Sequence, residues 1–328
     1  MARIALVDVD SSNFPNLALM KISAYHKRLG DIVEWHVPCM PYDACYISKV
    51  FTESPDYDKP ILADQVFCGG TGYGTANTLD PHIERMHPDY RLYPQHSGKA
   101  YGFLTRGCPR GCPFCIVGEK EGMESKQVAV LSDFWFCEPV IKLLDPNLLA
   151  CPNAHKILYS ILSKTTHSGP VFIDFTQGLD IRLCDAETIK ILNQLRVKSL
   201  HFAWDNPKHD LTDDFDHFSL HSNVKDYRKR TVYILTNYWS THEEDMWRIQ
   251  TLQLLGYTPY IMVYDKQKYV DKNGRPMPKA HAGRTEDQFR HFLLCHHLQR
   301  WCNNKRLLYS TSFYDYMKDR GELELLKA

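Results

Sequence analysis

The sequence has no apolar run close to the roughly 20 residues that a membrane-spanning helix needs, and it has no net charge, because 39 Lys and Arg balance 39 Asp and Glu. The first lack excludes a helical membrane protein; the second removes any global field that would draw the chain to nucleic acid or to an anionic surface. The opening residues, MARIALVDVDSSNFPN, lack the apolar core and small-residue cleavage site of a secretory leader, so a soluble, cytoplasmic protein is expected. Cysteine is too sparse for a disulfide scaffold, with 11 in 328 residues. Eight of them are scattered singly and read as inert thiols, whereas Cys108, Cys112 and Cys115 fall within eight positions.

Hydrophobic patterning predicts an α/β protein. RIALVDV reads as a buried strand, NLALMKISAYHKRLG as a helix stopped at Gly30, and DIVEWHV as a second strand, which together open a doubly wound unit. ACYISKVF and ADQVFCGGTGYG add two strands. The second ends in Gly69, Gly70, Gly72 and Gly74, where backbone can approach a ligand or another part of the chain. Residues 80–98 carry prolines without periodicity and read as a linker. From Tyr101 the strands YGFLT, PVIKLL, VFIDF, KSLHFAW, TVYILT and PYIMVY recur, separated by helical stretches such as AETIKILNQL and THEEDMWRIQTLQLLG. The latter begins with a Thr cap and first-turn acids and ends in Gly. Six β–α repeats predict a partial (β/α)6 parallel barrel preceded by a small doubly wound α/β domain, with chemistry at the strands' C-terminal ends. The expected divisions are 1–98, 99–284 and a C-terminal helical extension over 285–328.

The three clustered thiols follow the strand YGFLT, in the loop TRGCPRGCPFCIVG. A structural zinc site requires four ligands, and the next cysteine, Cys137, stands 22 residues beyond Cys115 without a paired partner. Incidental buried thiols do not account for three in eight positions on a loop framed by prolines. The remaining reading is an iron–sulfur cluster held by three thiolates, with one iron left open to a small molecule.

The C-x-x-x-C-x-x-C spacing, with Phe114 before the last cysteine and the first barrel strand before the loop, resembles the radical S-adenosylmethionine (SAM) superfamily. The resemblance implies a 4Fe-4S cluster on Cys108, Cys112 and Cys115 and binding of SAM at the open iron. It further implies cleavage of SAM to methionine and a 5′-deoxyadenosyl radical, with flavodoxin or ferredoxin as external electron donor. Arg106 and Arg110 would offset charge on the sulfurs, Gly107 and Gly111 would let the loop wrap, and Phe114 would pack on the cluster or the adenine.

By position at later strand ends, Asp145, Asn147, Gln177, Arg182, Asp205 and Asn237 are the cofactor-binding candidates. Around them stand Asp180, Trp204, Thr236, Tyr264, Asp265 and Lys266. The family's Gly-Gly-Glu form is missing at Asp145 and Asn147, and a structural pairing of Arg182 with Asp180 or Asp185 is the competing reading there. The first hundred residues, with GGTGYG and HPDYRLYP, resemble the cobalamin-binding domain found in one branch of the superfamily, although the D-x-H-x-x-G cobalt-ligand motif is missing.

Three functions compete. The first is C–H activation of a substrate that the sequence does not identify, the second cobalamin-dependent methyl transfer, and the third a non-enzymatic iron–sulfur or zinc module that recruits RNA or protein. Nucleic acid is not excluded, because KQKYVDKNGRPMPKAHAGR mixes aromatic and basic residues; its alternative is a solvated hairpin with an NG turn. His201 reads as a hydrogen-bonded core histidine. CHHLQRWCNNKR, with Cys295, His296, His297 and Cys302, reads as an amphipathic helix through Leu293, Leu294, Leu298 and Trp301. Metal analysis after anaerobic purification separates the cluster from the zinc module: iron with acid-labile sulfide is expected, and a single zinc without iron would select the module.

Overall fold

The structure is a computed structural model that describes residues 1–11, 14–166, 168–271, 274–277 and 285–327. The chain divides into two compact units, Met1–Gln177 and Gly178–Ala328.

The first unit opens with β1 (Arg3–Asp8), α1 (Leu17–Arg28), β2 (Ile32–Trp35), β3 (Pro41–Ser48) and β4 (Leu62–Gly69). All four strands are parallel, in the order β2-β1-β3-β4. Asn16 starts α1 by accepting the Leu19 N–H, and Leu19, Met20 and Ile22 pack against Ile4, Leu6 and Ala44 of the sheet. The opposite sheet face is covered differently. Ala5, Val7, Cys45 and Ile47 are buried there beneath Met40, Tyr57, Ile61 and Tyr73, none of which belongs to an α-helix. The β3–β4 connection carries Pro55, Pro60 and several acids, so it has neither the helical period nor the backbone donors to build a second covering helix.

Residues 80–98, expected as a linker, contain the short α2 (Pro81–Glu84) and two 3-10 turns, and they bury Ile83, Leu92 and Tyr93 against α1 and its sheet. The apolar residues here are spread over single turns, which leaves no period to read. The glycine loop after β4 is likewise committed to the chain itself. Gly70 has φ +90°, and a Cβ there would lie 2.3 Å from the Lys49 carbonyl oxygen; a Cβ on Gly72 would lie 2.6 Å from Lys49 Cγ.

The unit continues with β5 (Lys99–Gly102), β6 (Thr105–Arg106), α3 (Val117–Glu121), β7 (Lys126–Gln127), β8 (Val140–Leu143), α4 (Ala154–Thr166) and β9 (Phe172–Phe175). Strands β5, β8 and β9 are parallel and adjacent in that order. Ile141, Leu143, Ile173 and Phe175 are almost fully buried, as expected for parallel strands covered by helix. β6 and β7 form a separate two-stranded antiparallel ladder.

The second unit holds α5 (Ala186–Leu192), β10 (Val197–Ala203), α6 (Thr212–His221), β11 (Arg230–Thr236), α7 (His242–Leu254) and β12 (Thr258–Val263), followed by α8 (Glu286–Cys302), α9 (Lys305–Ser310) and α10 (Phe313–Asp319). β10, β11 and β12 are parallel neighbours. Thr241 caps α7 as expected and forms a capping box with Glu244, and Gly256 follows the helix end at φ +78°. The side chains of Arg248 and Asp245, one turn apart on α7, are both fully buried and form an ion pair. The guanidinium also donates to the Trp204 carbonyl at 2.6 Å and the Asp205 carbonyl at 2.9 Å, so α7 ties down the C-terminal end of β10. Among the described residues no helix is long and apolar enough to cross a membrane.

Two adjacent glycines should respond oppositely to alanine. Gly70→Ala is expected to cost about 1–3 kcal/mol through strain and collision with the Lys49 backbone. Gly69→Ala, with no heavy atom within 4 Å of its Cβ, should stay within about 0.5 kcal/mol of the parent. Urea midpoints of the two variants check this, and equal destabilisation would contradict the packing described for the loop.

Candidate functional site

The three clustered cysteines stand on a loop with a built stem. Thr105 pairs with Gln127 and Arg106 with Lys126 across the β6–β7 ladder, and the Cys108 N–H donates to the Gly122 carbonyl at 3.1 Å just above it. Gly107 adopts φ +84°, and a Cβ there would meet the Glu124 carbonyl oxygen at 2.1 Å, so this crossing excludes any side chain. Farther out, Gly111 takes φ +55° and the Cys115 N–H closes onto the Cys112 carbonyl at 3.0 Å. Cys108 and Cys112 are half-buried, Cys115 is exposed, and Phe114 is half-buried between the last two.

Arg106 does not serve the thiols in the way expected. Its guanidinium meets Glu121 at 2.8 Å and Glu84 at 3.7 Å, and it stacks 3.8 Å from the Phe103 ring centre. The other Glu121 oxygen accepts the Gly107 N–H at 3.2 Å. The arginine's charge is therefore spent within the stem, where one carboxylate joins β6, the first loop residue and the end of α3. Glu121 escaped the sequence reading because its only signal, the tripeptide KEG, carries no spacing to the cysteines that chemistry would dictate.

The segment after β8 places two buried polar side chains beside the base of the loop. Asp145 is 3% exposed, and its Oδ1 accepts from the Leu104 N–H at 3.0 Å, the Thr105 N–H at 2.5 Å and the Thr105 hydroxyl at 2.7 Å. Burial still outweighs these bonds and pushes its carboxyl up to about 6. Asn147, 4% exposed, directs its amide nitrogen to Cys108 Sγ at 3.6 Å, while the Ser125 hydroxyl donates to its backbone carbonyl at 3.1 Å. Asp145 Oδ2 and Asn147 Oδ1 are both buried with no hydrogen-bond partner among the described residues. The positional expectation thus brings Asp145 and Asn147 to the thiol loop.

The loop also touches the N-terminal segment of its own unit. The Lys120 ammonium of α3 donates to the Thr71 hydroxyl, and the Thr75 hydroxyl donates to Glu119 at 2.5 Å. Burial holds the Lys120 amine below its ordinary value. Two residues of the glycine loop therefore grip two residues of the helix that follows the cysteines.

A polar row inside the parallel strands was missed. Tyr101, Lys142 and Asp174 are register partners on β5, β8 and β9. Lys142 pairs with Asp174 at 2.8 Å, and the Phe14 ring lies 5.2 Å from the ammonium and 6.1 Å from the Tyr101 ring. The available signal was a single ionisable residue in each of two otherwise apolar strands, VIKL and FIDF.

Of the remaining candidates, Gln177 ends the first unit, and Arg182, Asp205 and Asn237 belong to the second. Gln177 is exposed at the end of the first unit. In the second unit Arg182 spends its fork on Asp180, with Nε and a terminal nitrogen at 2.7 and 2.5 Å from the two carboxylate oxygens. That is the structural pairing weighed against a ligand role. The Asp205 carbonyl accepts from Trp239 and Arg248. Asn237 sits at φ +60° after β11 and donates to the Tyr264 carbonyl at 2.9 Å.

His201 stacks on Tyr233 with ring centres 5.5 Å apart. The C-terminal cysteine and histidine cluster is indeed a helix face: α8 buries Leu294, Cys295, His296, Leu298, Trp301 and Cys302. Burial pushes the Cys295 thiol up to about 12 and the His296 imidazole down to about 4. Of KQKYVDKNGRPMPKAHAGR, residues 272–273 and 278–284 lie outside the described residues, including the Asn of the expected NG turn; the rest forms an antiparallel bridge between Val270 and Pro276. Among the described residues no group of three His, Cys, Asp or Glu side chains converges on a single-ion site.

No family model and no curated protein matches this sequence. A solved structure does: the radical S-adenosylmethionine methyltransferase TsrM from Kitasatospora setae, with cobalamin and a [4Fe-4S] cluster bound. It covers 80% of this chain and 74% of its own at a TM-score of 0.60, with 11% sequence identity. The chain shares the fold of a radical SAM methyltransferase. That fold agrees with the resemblance drawn from the cysteine spacing and the α/β patterning.

The raised Asp145 carboxyl gives the stability a direction with pH. The folded state holds the proton more tightly than the unfolded state, whose carboxyl titrates near 3.8, so this contribution is complete in acid and is lost as pH rises toward 6. Between pH 4 and pH 7 the stability of Asp145→Asn relative to the parent should improve by about 2–2.5 kcal/mol, at about 1.4 kcal/mol per pK unit expressed between those values. Denaturant titrations of both chains at the two pH values measure it, and a pH-independent difference would mean that Asp145 is not a buried charge.

Proposed function

We propose that this chain is a radical SAM enzyme built on a partial parallel barrel, with Cys108, Cys112 and Cys115 as the ligands of a 4Fe-4S cluster. The observation that carries this reading is the three-thiol loop itself, raised on a β-ribbon stem beyond the C-terminal end of β5 in a chain with a radical SAM methyltransferase fold. The residues present fit such a group. Three soft thiolate donors on a glycine-hinged loop leave one iron unliganded by cysteine, and buried acceptors without donors stand beside them.

Held by Cys108, Cys112 and Cys115, a reduced cluster would supply the electron for reductive cleavage of SAM to methionine and a 5′-deoxyadenosyl group able to abstract hydrogen. The protein's own part is positioning and exclusion of water. Glu121 and Asp145 fix the stem, and Asn147 faces Cys108. Asp145 Oδ2 and Asn147 Oδ1 are the acceptors we assign to the methionine ammonium of SAM. Lys142 and Asp174, paired within otherwise apolar strands, are the polar groups we assign to the substrate side of the barrel. A flavodoxin or ferredoxin would deliver the electron.

A second reading, methyl transfer through cobalamin, is favoured by the cobalamin bound to the structural neighbour. It would have to work without the D-x-H-x-x-G histidine, and with Gly70 and Gly72 already packed on Lys49. Spectroscopic titration with cobalamin tests it, and absence of binding at saturating cofactor removes it.

For the primary reading, the anaerobically reconstituted chain given SAM and dithionite should release methionine and 5′-deoxyadenosine. Cys112→Ala should lower that yield by at least about a thousandfold, as expected when a group required for the radical-forming step is removed. A parent chain with a well-formed cluster that neither binds nor cleaves SAM would defeat the proposal.

A further inference from the structure

Asn147 stands out as a buried amide with one end engaged by a cysteine sulfur and the other end unengaged. Its backbone is fixed on both sides. The Ser125 hydroxyl and the Ala150 N–H both donate to its carbonyl, and Leu148 and Leu149, which follow it, are buried. The amide therefore has little freedom to turn away from Cys108. Its orientation also follows from chemistry: a metal-bound thiolate has no hydrogen, so only the NH2 end can face it favourably, and the carbonyl end would be repelled.

Resting on the cluster assignment above, we propose that Asn147 is a positioning residue that sets the cluster's reduction potential, by donating an amide N–H to Cys108 Sγ. Reduction adds negative charge that is shared over the sulfurs. A donor aimed at one of them stabilises the reduced state more than the oxidised state and raises the potential. Asn147 is 4% exposed and Cys108 half-buried, so the donor is a buried amide set against a partly covered sulfur. No other side chain is described as donating to Cys108, whose own N–H is committed to the Gly122 carbonyl. Arg106, the obvious cation from the sequence, is engaged by Glu121 and leaves this task open.

The test uses the full chain, reconstituted anaerobically, as parent, Asn147→Leu, Asn147→Asp and Asn147→Gln. Iron per chain is measured first, and the cluster's midpoint is then read by optical and EPR titration without SAM. With iron content equal to the parent's, Asn147→Leu should give about tenfold less reduced cluster at a fixed potential, equal to ~59 mV for one electron. Asn147→Asp should fall further, and Asn147→Gln should recover part of the shift. A carboxylate alone would lower the potential only in the aspartate variant, so the leucine variant isolates the hydrogen bond.

Full iron content with an unchanged midpoint in Asn147→Leu overturns the inference and leaves the cluster assignment standing. Loss of iron from both the leucine and the isosteric aspartate chain, each still folded by circular dichroism, also overturns it, by making Asn147 a support for the loop. A parent chain that takes up no iron sinks the cluster assignment itself, and this inference with it.

Discussion

A carboxylate withdrawn from water must be met by several donors, and the place where this chain does so is the junction beneath the thiol loop. Asp145 accepts two backbone amides and a hydroxyl from Leu104 and Thr105 on a single oxygen, and those residues lie just before and at the start of the strand from which the loop rises. The geometry of the cysteines depends on this contact, because it fixes β6 against the end of β8 before the loop begins. Glu121 repeats the device on the other side, joining Arg106 to the Gly107 amide. A long, polar, proline-containing loop thus acquires a rigid base without an apolar core of its own.

The same junction shows how position and charge divide the work. The arginine beside the first cysteine is neutralised within the stem, and the side chain that reaches a sulfur is an uncharged amide from a different strand end. An uncharged donor in a buried place adds direction without adding a cation whose desolvation the fold would have to offset. The second unit resolves a comparable problem in the opposite way. Arg248 and Asp245 are fully buried together, and the guanidinium's remaining donors are taken up by strand-end carbonyls, so the charge organises backbone.

Much of this was legible from residues alone. The alternation of apolar runs with capped helices gave parallel strands and α7 with its Thr241 cap, and the spacing of three cysteines located the loop. The amphipathic pattern located the helix α8 and its buried face. What escaped notice was decided by partners distant in sequence. Glu121 acts through Arg106 and the Gly107 amide, which leave no spacing to read; Asp145 was located by position, but its bonds to the Leu104 and Thr105 amides were not, whereas the Arg182–Asp180 pairing was among the readings weighed. Lys142 and Asp174 are conspicuous only once strand register sets them side by side. Residues 80–98 carried too few apolar positions in sequence to predict that Ile83, Leu92 and Tyr93 would complete a core.

The grip of Thr71 and Thr75 on Lys120 and Glu119 has a bearing on how this architecture is inherited. The N-terminal segment and the thiol-bearing segment do not meet through an interchangeable surface, because the helix inside the loop is completed by hydroxyls from the glycine-rich turn some 45 residues earlier. Swapping the front segment for one from a distant homologue would strip α3 of those partners and loosen the loop beside it. The front segment therefore contributes directly to holding the helix beside the cysteines.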